Sequence, residues 1–190
     1  MLRAAAIACV VLGVWLSPAR AAEPSIFEAY KAVCQDTRAD PQKALAALGP
    51  GWDDSPIPAP DAATRMIHRV RTIGTERREL LMIERVIPKG SDQSPFAKRM
   101  RVCMLTTSSL DSGLQASVSA MMGAPPNAHP DGGALEWTYV DAPAGREYYT
   151  GGTAAETNAR VAKAPLVIVL AGETPQGGVA GFTEVSALGE

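Results

Sequence analysis

The sequence predicts an α+β domain: a mainly antiparallel sheet of about six to seven strands, with two N-terminal helices and one mid-chain helix. Three observations carry that expectation. Two short segments before Pro50 have helix-boundary residues at their ends and apolar side chains at helical spacing between them. From Arg65 onward the chain falls into runs rich in β-branched and long apolar residues, divided by Gly, Pro and Asp. One helical stretch, Asp111 to Met122, interrupts those runs and stops at Gly123.

The first element is a leader. Met1-Leu2-Arg3 gives a positive start, Ala4 to Leu16 is an apolar run, and Ser17-Pro18-Ala19-Arg20-Ala21 places Ala19 and Ala21 where a signal peptidase reads small residues. A membrane span needs about twenty apolar residues, more than this run contains. Residues 1–21 therefore read as a cleaved secretory signal, and 22–190 as a single α+β domain that is periplasmic or secreted, with no membrane span after cleavage. Without Arg3 and Arg20, sixteen basic residues face twenty acids. Such a mildly acidic chain is not a general nucleic-acid binder.

Cysteine usage agrees with export. Cys9 sits in the middle of the apolar leader, too early for a lipoprotein cysteine, and leaves with it. Cys34 and Cys103 remain as an even pair in an oxidising compartment, where a disulfide is the default. Neither lies in a Cys-x-x-Cys motif, so a structural bridge is favoured over redox or metal chemistry.

Ser25-Ile26-Phe27-Glu28 fits a capping box at the start of the first helix, whose face carries Phe27, Tyr30 and Cys34. Asp40 and Pro41 open the second helix, Ala44, Leu45, Ala47 and Leu48 give it an apolar stripe, and Gly49-Pro50 ends it. Trp52 follows as a packing anchor. Asp53 to Asp61, with Pro56, Pro58 and Pro60, reads as an extended linker. Arg65 to Ile73 and Glu79 to Ile87 form a hairpin around Gly74-Thr75-Glu76, and Ala97 to Thr106 is a third strand. After the mid-chain helix, Leu135, Trp137 and Tyr139 alternate with Glu136 and Thr138 as a half-buried strand, which turns at Asp141 to Gly145 into Glu147 to Thr150. Leu166 to Ala171 and Val179 to Leu188 close the chain as a hairpin around Gly172 to Gly178.

A disulfide would pin the first helix to the third strand. If Cys103 faces that helix, so does Leu105, while Met100, Val102 and Met104 face away. Apolar residues on both faces call for a second cover, from the C-terminal strands or from another subunit.

The segment Phe27-Glu28-Ala29-Tyr30-Lys31-Ala32-Val33-Cys34, followed by Asp40-Pro41 and Ala44 to Trp52, resembles the opening of a group of small uncharacterised exported proteins of Gram-negative bacteria. The shared pattern is an aromatic residue, a cysteine, a short Ala-rich helix and Gly-Trp. The resemblance implies export and no catalytic residue.

Charge is the functional lead. Ten of the sixteen mature basic residues fall between Arg65 and Arg101, with four acids, Glu76, Glu79, Glu84 and Asp92. The rest of the mature chain holds six cations and sixteen acids. A three-strand unit with this excess can present Arg69, Arg71, Arg99 and Arg101 to an anionic envelope component or an acidic protein. The competing reading is a solvated face whose arginines pair with acids of the same molecule.

Other chemistry finds little support. His68 reads as a packed or edge histidine and His129 as part of a turn, and no local spacing supplies a third metal ligand. Met66, Met82, Met100, Met104, Met121 and Met122 are scattered as core fillers. There is no Gly-x-Ser-x-Gly elbow or Ser-x-x-Lys pair, and Ser108, Ser109 and Ser112 fit capping at the third helix. No cofactor is expected. The two function classes are a noncatalytic envelope binding module and a small envelope hydrolase with a distant acid pair or a His68 to His129 site.

Overall fold

The computed structural model describes residues 23–91, 94–110, 112–127 and 133–189; the leader and His129 lie outside them. The described residues form one antiparallel sheet of eight strands with four α-helices. In chain order the elements are α1 (Ile26–Tyr30), α2 (Pro41–Ala47), β1 (Asp53–Asp54), β2 (Thr64–Ile73), β3 (Glu76–Ile87), β4 (Lys98–Thr107), α3 (Leu114–Met122), β5 (Ala134–Ala142), β6 (Gly145–Tyr148), α4 (Ala154–Val161), β7 (Leu166–Thr174) and β8 (Gly177–Ala187). The expected α+β class and antiparallel pairing hold, with one more helix and a larger sheet than expected.

The extra elements have local causes. Asp53 and Asp54 lie in the Pro-rich linker, yet they pair with Val70 and Arg69 as β1, and the Asp54 carboxylate meets the Arg69 guanidinium. The additional helix, α4, opens with a capping box: the Thr153 hydroxyl accepts from the Glu156 N–H at 3.3 Å, and the Glu156 carboxylate accepts from the Thr153 N–H at 2.7 Å. The mid-chain helix starts three residues later than its spacing suggests, at Leu114, after Gly113 with φ +59°. Of the three serines expected to cap it, Ser112 accepts from the Leu114 N–H at 3.3 Å, whereas Ser108 accepts from the Arg77 N–H at 2.8 Å.

The capping box of α1 is complete. The Ser25 hydroxyl accepts from the Glu28 N–H at 3.2 Å, and the Glu28 carboxylate accepts from the Ser25 N–H at 2.8 Å. The helix then widens into a π-helical turn over Lys31–Gln35, closed by the Asp36 N–H on the Lys31 carbonyl at 2.8 Å. Tyr30, Val33 and Cys34 thereby all reach the core.

Strand order is β1-β2-β3-β4-β8-β7-β5-β6. The first four strands follow the chain, the hairpin β2–β3 turning at Gly74-Thr75 with Ile73 opposite Glu76. The C-terminal β8 then inserts between β4 and β7, in the middle of the sheet. Gly177 permits that insertion: at φ +134°, any Cβ there would lie 1.7 Å from the Thr107 carbonyl oxygen.

The two faces differ. One is covered by α1, α2 and α3, and there Leu80, Cys103, Leu105, Trp137, Val167 and Val169 are all 0% exposed. Cys103 and Leu105 face the helices and Met100, Val102 and Met104 face away, as the alternation requires. The C-terminal strands extend this sheet rather than cover its far side. On that far side α4 closes a small cluster of Val140, Val161 and Leu166.

Candidate anion-binding site

The strand register puts Arg69, Arg71, Arg99 and Arg101 on the helix-covered face, at its two ends. Arg69 lies in the row of Leu80 and Leu105, four residues along β4 from Arg101, or about 13 Å. The sequence reading brings them to one face but not to one site.

At one end both guanidiniums are engaged. Arg69 pairs with Asp54, and Arg71 with Glu23 at 2.7 Å. Arg71 also lines, with Arg78, Pro24 and Trp52, a small cavity of about 90 Å³ beneath the N-terminal segment. Arg78 itself is buried, held by Glu76 at 2.8 Å and donating to the Pro24 carbonyl at 2.8 Å. This end is a structural network.

The other end is different. Arg101 donates to Glu84 at 3.0 Å and approaches Asp40 at 3.2 Å, while Arg99 stands 3.8 Å from the same Glu84. Arg65 occupies the position on β2 directly opposite Glu84, is exposed, and makes no ion pair among the described residues. One carboxylate thus serves the centre of three guanidiniums. Asp40 is itself committed to the start of α2, accepting from the N–H groups of Gln42 and Lys43 at 3.1 Å each. Those bonds, led by the Lys43 N–H and helped by Arg101, hold its carboxyl below the ordinary range.

Arg65, Glu84 and Arg99 line an open cavity of about 210 Å³ together with Val86, Ala62, Ala63 and Thr64. The preceding loop is fixed by Asp61, which accepts from the Thr64 hydroxyl at 2.7 Å and meets Arg85 at 3.3 Å. Two forked cations at the rim of a solvent-open pocket suit a carboxylate or phosphate, whose paired oxygens match guanidinium geometry. The sequence singled out Arg99 and Arg101 but not Arg65 as their neighbour. The signal for it was the hairpin register, which sets Arg65 against Glu84.

Catalytic alternatives find less. His68 lies on the opposite face, with Nδ1 2.8 Å from the Ser55 carbonyl oxygen and Nε2 3.0 Å from the Glu79 carboxylate. Both ring nitrogens are engaged by acceptors. Among the described residues, no group of three or more His, Cys, Asp or Glu side chains is placed to hold a metal ion. No helix among them is long and apolar enough to cross a membrane. A larger cavity of about 450 Å³ lies between α4 and the β5–β6 turn, where Glu147, Glu156, Arg160 and Lys163 mix both charge signs.

No family model, curated protein or solved structure matches the chain.

Proposed function

We propose that the protein is a noncatalytic binding module of the bacterial envelope that holds an anionic partner in the pocket lined by Arg65 and Arg99, beside Arg101. The observation that carries this reading is the shortage of carboxylate there: Glu84 is shared by Arg99 and Arg101, and Arg65 beside it has no ion pair among the described residues. An incoming carboxylate or phosphate completes the arrangement. The leader at residues 1–21 supports delivery to the periplasm, and the Cys34–Cys103 bridge suits that oxidising compartment. Arg69 and Arg71 belong to the structural network of the other end, so the contact rests on Arg65 and Arg99.

The test is crosslinking of the native protein in its own envelope, with mass spectrometry of what is captured, beside an Arg65→Glu/Arg99→Glu variant. The expected result is an anionic partner captured at low salt, weakened as salt rises, and lost in the variant. Equal capture by the two forms overturns the reading. An Arg69→Gln variant serves as the comparison, with capture unchanged.

A further inference from the structure

The cavity of about 450 Å³ between α4 and the β5–β6 turn has the size of a small-molecule site, for which about 300–1,000 Å³ is usual. Its form follows from the residues on either side. One side of α4 and of the turn after it supplies Glu156, Ala159, Arg160 and Lys163, at the three- and four-residue spacing of a helix face, while the opposite side of α4 buries Asn158 and Val161. Ala159 on the helix and Ala142 and Pro143 on the hairpin are too short to close the gap, and with Val140 they give it an apolar lining.

The charged groups around that lining are not equivalent. Glu156 is committed to the start of α4, its carboxylate accepting from the Thr153 N–H at 2.7 Å and from the Thr153 hydroxyl at 3.0 Å. Arg160 is stacked on Tyr149, its guanidinium carbon 4.5 Å from the ring centre. Stacking fixes the guanidinium and leaves its in-plane N–H donors open to an acceptor. Glu147 on β6 and Lys163 just past α4 are exposed, and neither makes an ion pair among the described residues. The cavity thus offers one carboxylate from the hairpin and two cations from the helix side.

This combination selects its ligand by charge. A simple anion is opposed by Glu147, and a simple cation by Arg160 and Lys163; a molecule that carries an ammonium and a carboxylate satisfies both walls. A single amino acid leaves most of the volume empty, whereas a peptide of about two or three residues fills it. We infer that this cavity binds a short zwitterionic peptide, with its amino terminus at Glu147, its carboxylate between Arg160 and Lys163, and an apolar side chain against Val140, Ala142 and Pro143. The site is separate from the pocket of Arg65 and Arg99 and shares no lining residue with it.

The experiment is isothermal titration calorimetry of the native protein with the dipeptide alanyl-leucine, its N-acetyl form and its C-terminal amide, up to about 10 mM. Saturable binding of the free dipeptide is expected, weakened about tenfold or more in each blocked form. Glu147→Gln is expected to take the free and N-acetylated dipeptides equally, and Arg160→Gln/Lys163→Gln the free dipeptide and its amide equally. Ala159→Trp, at an exposed position, fills the cavity and abolishes binding with the circular dichroism unchanged. Failure of the wild type to bind the free dipeptide overturns the inference, as does equal binding of the three forms, or binding that Ala159→Trp leaves intact while folded. The Arg65→Glu/Arg99→Glu variant binds the dipeptide as the wild type does; loss of binding there overturns the assignment to this cavity.

Discussion

Cys34 and Cys103 are both fully enclosed, and their disulfide, 5.3 Å between Cα atoms, fastens the π-helical turn to the middle of β4 across 69 residues of chain. Beside Cys103 in the sheet lie Met82 and Phe182, so the bond sits at the centre of the core. Replacing both cysteines by serine removes about 4 kcal/mol of loop constraint on the unfolded chain. The expected outcome is a urea midpoint lowered in proportion, and the same shift on reducing the native protein.

Asp40 joins two tasks, the start of α2 and the support of Arg101. Asp40→Ala is expected to cost about 1–2 kcal/mol, within the range for a lost helix cap. Asp40→Asn keeps the cap and removes the charge, and it recovers most of that loss in thermal unfolding.

Glu76 receives hydrogen bonds from Arg78 at 2.8 Å and from the Thr107 hydroxyl at 2.7 Å. The Arg78 bond first, then Thr107, hold its carboxyl below the ordinary value of 4.5 against the opposing effect of burial. Because the folded value lies below the unfolded one, this stabilisation is fully present above pH 4.5 and is lost as pH falls through the folded value. Melting curves from pH 7 down to pH 3 check it. Glu76→Gln melts lower at neutral pH, by about 2–4 °C for each kcal/mol lost, and its gap from wild type narrows in acid.

Arg38 bridges two strands of the sheet, meeting Asp141 on β5 and Glu184 on β8, the latter at 2.5 Å. Glu184 is only 8% exposed, so Arg38→Ala strands a buried carboxylate. Solvent reaches the Arg38 side chain, which places the expected loss at about 1–3 kcal/mol, below the range for a fully buried pair. Adding Glu184→Gln is expected to restore roughly half of it, measured by denaturant midpoints in a double-mutant cycle.

Much of this architecture is legible in residue order. Ser25 with Glu28, and Asp40 with Pro41, are boundary signals whose partners lie within three residues, so sequence alone places them. The facing of Cys103 and Leu105 follows from the two-residue period of a strand. The parts that escape depend on distant pairing. Asp53 and Asp54 have poor strand propensity and become β1 through Val70 and Arg69. Ala154 to Val161 buries only Asn158 and Val161, too narrow a stripe to announce a helix. The grouping of Arg65 with Arg99 needs the registers of two hairpins at once, and that of Arg38 with Asp141 and Glu184 needs the neighbours of β8.

The central place of β8 makes the last stretch of the chain a keystone. Until Gly177–Ala187 arrives, β4 and β7 each present an unpaired edge, and the two halves of the sheet have no ladder between them. Assembly must therefore wait for nearly the whole polypeptide, and its long-range closure is a slow kind of folding. A chain cut short before Gly177 is not a smaller working version of this protein; it is two sticky half-sheets and a substrate for proteases.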